Sequence, residues 1–188
     1  MEMRTSAELF PLAVKDFAAA AGAIGDSAVS RLVEAILAAR HVALFGCGRE
    51  GLQMRGLAMR LHHLGRSVSV AGDMTTPAIG PGDLLLLSAG PGMLSTALAL
   101  ANVAKGAGAK VLTITAQPDG AVPKASDEVV VVPAQTMATD RAGEVSALPM
   151  GSVYEGALFL MFEIVVLLLK ERLGVSDAFM RANHTNLE

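Results

Sequence analysis

The chain reads as an α/β protein, a three-layer α/β/α sandwich around a five-stranded parallel sheet with a helical N-terminal extension. Three observations predict this. Five short apolar runs, 41–45 (HVALF), 67–71 (SVSVA), 84–88 (LLLLS), 110–115 (KVLTIT) and 128–132 (EVVVV), are each bounded by Gly, Pro or Asp. Helical stretches lie between several of them, notably 51–64 and 93–106. The runs are nearly continuous rather than alternating, the mark of strands covered on both faces.

Taken in order, residues 1–40 predict two helices. Leu9 to Ala21 forms the first, Gly22 and Gly25 separate it from the second, and Asp26 or Ser27 is placed to cap the second. Val29, Leu32, Val33, Ile36 and Leu37 follow the helical apolar stripe. Residues 41–151 form the α/β core, with a loop over 133–151. Residues 152–188 give a long helix from Ser152 to Leu173 and a polar tail. No repeat, linker or second domain interrupts 1–188. The apolar run 156–169 is broken by Glu163 and closed by Lys170, Glu171 and Arg172. It is shorter than the about 20 residues of a membrane span, so a buried helix is expected and no membrane partner.

With 188 residues, 52% of them hydrophobic, the chain can bury a sizeable core, and 18% charge is too little for a disordered segment. The net charge of −3 lacks the basic excess that nucleic-acid binding requires. Aromatic content of 4% leaves little for base stacking. Cys47 stands alone, which excludes an intramolecular disulfide and a multi-cysteine zinc site and suits a cytoplasmic protein. No secretory signal opens the sequence.

Two glycine loops carry the chemistry. The first strand runs into Gly46-Cys47-Gly48-Arg49-Glu50-Gly51 and a helix, matching the dinucleotide spacing, with Asp73 some twenty residues beyond. The nucleotide reading is disfavoured. No room exists for a separate substrate domain, and Asp73 falls after the second strand should have ended. Packing of helix on strand explains the same glycines. A second loop, Ser88-Ala89-Gly90-Pro91-Gly92, follows the third strand, and the two loops can share one crevice on the carboxyl edge of the sheet. Cys47 lies near a helix start, where a thiolate would be stabilised, but a small buried side chain is the simpler reading.

The segments GCGREG (46–51), AMRLHHLG (58–65), GDMTTPAI (72–79), PGDLLLLSAGPG (81–92), AKGAGAKVLTIT (104–115), PMGSVYE (149–155) and HTNLE (184–188) together resemble the SIS-domain (sugar isomerase) family, and within it the 6-phospho-3-hexuloisomerases. The resemblance implies a metal-free, cofactor-free isomerisation of a phosphorylated hexulose through a cis-enediol, at a site shared between subunits. The 156–169 helix, apolar on nearly every face, and the apolar stripes of the N-terminal helices predict a homo-oligomer, a dimer of dimers. The resemblance makes Glu155 the base and His184 the ring-opening acid/base. Gly46, Gly48, Arg49, Glu50, Gly51, Asp73, Ser88, Gly90, Gly92, Ser152 and His63 become substrate-binding positions. From the residues alone, Glu155 equally fits a capping box with Ser152, His184 a solvated tail, His63 a packing role and Arg49 an ion pair with Glu50.

The chain departs from the family pattern in its loops. The family's GRSG becomes Gly48-Arg49-Glu50-Gly51, and its SGSGET aligns with Ala89-Gly90-Pro91-Gly92-Met93-Leu94. Hydroxyls are replaced by Glu50, Pro91 and Leu94. Glu50 adds a charge that at about 6 Å and an effective dielectric of about 20 costs roughly 3 kcal/mol per unit of phosphate charge. Poor binding of hexulose phosphates is therefore expected. Three readings stay open: a hexulose-phosphate isomerase with a rebuilt phosphate site, an isomerase of a different sugar derivative, phosphorylated or not, and a binding or regulatory module.

Overall fold

A computed structural model describes residues 4–140 and 146–187, and everything below concerns those residues. Part of the 133–151 loop (141–145) and the last residue of the HTNLE motif lie outside them.

Five strands, β1 (Val42–Gly46), β2 (Val68–Val70), β3 (Leu84–Ser88), β4 (Lys110–Thr115) and β5 (Glu128–Val131), form one parallel sheet in the order β2-β1-β3-β4-β5. β3 shows why its sequence is wholly apolar. Leu84 and Leu86 face one layer, Leu85 and Leu87 the other, and all four are buried. One layer holds α1 (Ser6–Gly22), α2 (Asp26–Ala38), α3 (Gly48–His63) and α6 (Ser152–Leu173). The opposite layer holds α4 (Ser95–Gly106) and α5 (Ala121–Ala125). The sandwich and its sheet agree with the sequence expectation. A short helix α7 (Asp177–Ala182), capped by the Ser176 hydroxyl on the Phe179 amide, occupies what reads as a polar tail.

Three local expectations are corrected. The cap of α2 is Gly25, and Asp26 stands inside the first turn, where its charge still complements the helix dipole. No Ser152–Glu155 capping box forms. Gly151 is the cap of α6 in a left-handed conformation (φ 82°), and the Ser152 hydroxyl donates back to the Pro149 carbonyl. The third concerns α6 itself. The apolar run falls short of a span, but the whole helix, at 22 residues, is by length and composition alone long and apolar enough to cross a membrane, with half of its apolar window buried in the fold.

α6 packs on α1, α2 and α3, burying Val153, Tyr154, Ala157, Leu158, Met161, Phe162, Val165, Val166 and Leu169. Each large side chain so buried contributes about 1.5–3 kcal/mol of transfer free energy. Gly156 is needed where α1 crosses, since a Cβ there would stand 2.3 Å from the Phe17 ring. The other face of α6 is exposed, with Phe159, Leu160, Ile164 and Leu167 all more than 40% accessible. A helix so placed belongs half to the core and half to a surface still uncovered in one chain.

Candidate active site

β1 and β3 are neighbours, with Gly46 paired to Ser88 at their carboxyl ends. The chain leaves β1 for α3 on one face and leaves β3 for α4 on the other, so a crevice opens between the two loops, the usual ligand position in open α/β sheets. The two glycine loops thus meet at one place, as expected. The cleft has a volume of about 340 Å³. Cys47, Gly48, Arg49 and Glu50 line it from the first loop, Pro91 and Leu94 from the second, and Met150, Gly151, Tyr154 and Glu155 from the start of α6. Thr136 and Met137, beyond β5, close it.

The glycines divide by role. A Cβ at Gly51 would lie 2.5 Å from the Gly46 carbonyl oxygen, so this pair lets helix and strand pack backbone to backbone. Gly92 (φ 77°) is turned against Gln117 and Gly120. Gly48 and Gly90 alone of the predicted glycines serve the cleft directly: Gly48 lines it, and Gly90 presents its N–H to a side chain within it.

Glu155 arrives through two consecutive left-handed residues, Met150 (φ 55°) and Gly151. A non-glycine residue in that region is uncommon and marks a turn held by its surroundings. The turn aims the first turn of α6 at Arg49. Arg49 Nε lies 3.1 Å from Glu155 Oε2, its Nη1 donates to the Ser152 hydroxyl at 3.0 Å, and its Nη2 donates to the Met150 carbonyl. Arg49 therefore pairs across the cleft rather than with its neighbour Glu50. The Glu155 side chain is 15% exposed. Burial pushes its carboxyl above the ordinary range, Arg49 pulls it down and Glu50 adds a push upward, with burial the largest influence.

Glu50 lies deeper. Its Oε2 accepts from the Ser88 hydroxyl at 2.6 Å and from the Gly90 N–H at 2.9 Å, linking the two loops. Burial raises this carboxyl as well, and the two hydrogen bonds oppose the rise. Tyr154, 1% exposed, puts its hydroxyl 3.3 Å from that of Ser88, and burial with Glu50 nearby raises its phenol well above the usual value. Cys47 is raised too, chiefly by burial and then by Glu50, which argues against a stabilised thiolate, but it is half-buried and lines the cleft rather than being a small buried side chain.

Three predicted positions are elsewhere in the subunit. His63 ends α3, and its ring stacks on that of His184 with centroids 5.1 Å apart, while Asn183 donates to the His63 carbonyl. Arg49 and His63 mark opposite ends of α3, about 21 Å apart at 1.5 Å per residue. Asp73 follows β2 and pairs with Arg55 at 3.1 Å, lining a separate groove with His41 and His62. Sequence reasoning left Tyr154 out of the site. Its signal was available: it is the chain's single tyrosine, directly before Glu155 in the same motif.

The parallel sheet with a cleft at its switch point defines an open α/β protein, and residues 35–160 match the SIS domain model. The chain belongs to the SIS-domain family. It is 40% identical over 160 residues to a 3-hexulose-6-phosphate isomerase of Mycobacterium gastri, covering 85% of this chain and 80% of that one. A 3-hexulose-6-phosphate isomerase of Bacillus subtilis is 30% identical over 165 residues, 88% of this chain and 89% of that one. A crystal structure from Methanococcus jannaschii, said to infer a 3-hexulose-6-phosphate isomerase function, superposes with a TM-score of 0.82 at 25% identity, covering 95% of this chain and 98% of that one.

Proposed function

We propose that this chain is a soluble, cytoplasmic isomerase that moves the carbonyl of a phosphorylated hexulose to the adjacent carbon through a cis-enediol. The observation that carries this reading is Glu155, held by Arg49 at the edge of the switch-point cleft with its carboxyl raised by burial. The carboxylate takes the proton from the carbon beside the carbonyl while an imidazolium gives one to the carbonyl oxygen, forming the enediol. Glu155 then returns its proton to the former carbonyl carbon, and the imidazole takes the proton of the second hydroxyl, which becomes the new carbonyl. Arg49 keeps the base oriented and places positive charge where the enediol oxygens become electron-rich.

The imidazole is that of His184, supplied by a second subunit. In its own subunit His184 lies against His63, at the end of α3 away from Arg49. That separation supports a second copy as the source of the histidine beside Glu155. The exposed apolar face of α6, with Phe10 and Val14 of α1 also exposed, supports a homo-oligomer built as a dimer of dimers. Light scattering of the unmodified chain is expected to give a multiple of the single-chain mass. Ile164→Glu with Leu167→Glu, which charges that face without touching the core, is expected to shift it toward the monomer. A monomeric unmodified chain at micromolar concentration contradicts the assembly.

The function is tested by turnover of 3-hexulose 6-phosphate with the purified full chain. Conversion to the isomer with the shifted carbonyl supports the proposal, and no conversion at any concentration of substrate rejects it.

A further inference from the structure

The inner end of the cleft is already filled. Loop N–H groups at the end of a parallel strand, beside a helix start, form a place where an anion is held. Here the two best donors, the Ser88 hydroxyl and the Gly90 N–H, both donate to Oε2 of Glu50 at 2.6 and 2.9 Å. That carboxylate comes from the other side of the crevice, out of the first turn of α3. The fit leaves no spare room: a Cβ at Gly90 would stand 3.0 Å from Glu50 Oε1 and 2.8 Å from Tyr154 Cε1. No side chain of Pro91, Gly92, Met93 or Leu94 supplies a donor in place of those two. Pro91 has no N–H, the Gly92 N–H donates to the Ala89 carbonyl, and Leu94 is apolar. Arg49, the cation of the cleft lining, is engaged by Glu155, Ser152 and the Met150 carbonyl. With Glu50 and Glu155 against Arg49, the lining carries one more negative than positive charge.

We propose that Glu50 is the specificity-determining residue of this cleft: its carboxylate occupies the anion seat, so the inner end receives an uncharged, hydroxyl-bearing part of the sugar, and a phosphoryl group is excluded from the glycine loops. A sugar hydroxyl can donate to the free lone pairs of the carboxylate without bringing charge, whereas a phosphate brings like charge to it. This deepens the isomerase reading and rests on it for the substrate being a sugar. It places any phosphoryl group of that substrate outside the two loops.

The test is a calorimetric titration of inorganic phosphate into the full chain, into Glu50→Ser and into Glu50→Gln, with an unphosphorylated ketohexose as the neutral probe. Serine frees both donors, and glutamine keeps the shape while removing the charge, so a folded variant is in hand if serine does not fold. Phosphate is expected to bind at least tenfold more tightly to Glu50→Ser, which empties the seat, than to the unmodified chain, and to gain less in Glu50→Gln, which removes the charge but keeps the seat filled, with no such gain for the neutral sugar. Equal phosphate affinity in all three proteins overturns the proposal, because the anion then sits away from Glu50. Turnover of 3-hexulose 6-phosphate, measured on the same unmodified protein, reports on the isomerase reading separately. Turnover without a phosphate gain discards the role of Glu50, and a phosphate gain without turnover discards only the isomerase.

Discussion

Glu155→Gln is expected to lower kcat for 3-hexulose 6-phosphate isomerisation by at least about 10²-fold while leaving the fold intact, a loss of roughly 2.7 kcal/mol of transition-state stabilisation. Glutamine preserves the shape of the side chain and can still accept from Arg49 Nε, which lies 3.1 Å from the carboxylate in the native site. It cannot accept a proton from carbon. Binding of substrate should change little, so the effect belongs to kcat rather than KM. The pH profile follows from the same group. The base works as a carboxylate, and burial raises its proton affinity above the ordinary glutamate value. Activity should therefore fall with decreasing pH at a less acidic point than an exposed glutamate would give. Steady-state kinetics of the two proteins check both statements, and unchanged kcat in the variant removes Glu155 from the mechanism.

The second large effect comes from combining two inactive proteins. His184→Ala should also lose at least about 10²-fold in rate, since the imidazole moves the hydroxyl proton. If each site takes Glu155 from one subunit and His184 from another, a mixed oligomer of Glu155→Gln and His184→Ala chains contains some sites with neither defect. With subunits drawn at random from an equal mixture, each site has one chance in two of an intact Glu155 and one in two of an intact His184. About a quarter of full activity should return on co-refolding, the symmetric assembly making all sites equivalent. The motivation is the position of His184 against His63, at the far end of α3 from the Arg49–Glu155 pair. Activity of the mixture no greater than the mean of its two parents contradicts the shared site.

Particular residues show what was legible in advance. The strands were, because buried parallel strands need apolar side chains on both faces: Leu84 to Leu87 leave no other reading. β2 shrinks to Val68–Val70, half-buried at the sheet edge, where fewer neighbours demand apolar partners. α5 hides in AVPKA, too short for a period and broken by Pro123. α7 had a readable start in Ser176-Asp177, yet its side chains are exposed or only partly buried, so no apolar stripe announced it.

In the site, the meeting of the two glycine loops was legible as a possibility because both leave the carboxyl edge of one parallel sheet, and the neighbouring positions of β1 and β3 bring it about. What each side chain does there did not. Glu50 reaches Ser88 and Gly90 across 38 and 40 residues of chain, a contact that no local pattern encodes. The Ser152–Glu155 spacing pointed to a cap that Gly151 takes instead, freeing Glu155 for Arg49. The placing of Tyr154 against Ser88 likewise follows the left-handed turn at Met150 and Gly151.

The central claim is that Glu155 carries a proton between adjacent carbons of a phosphorylated hexulose. Turnover of 3-hexulose 6-phosphate in deuterated water, followed by NMR of the product, addresses it directly. A glutamic acid at a cleft edge exchanges its proton with solvent during the life of the enediol. The product should then carry deuterium at the carbon that held the carbonyl, and Glu155→Gln should form this species at least about 10²-fold more slowly. Product formed at the native rate by the variant, or substrate recovered unconverted and without deuterium from the native protein, would contradict the account.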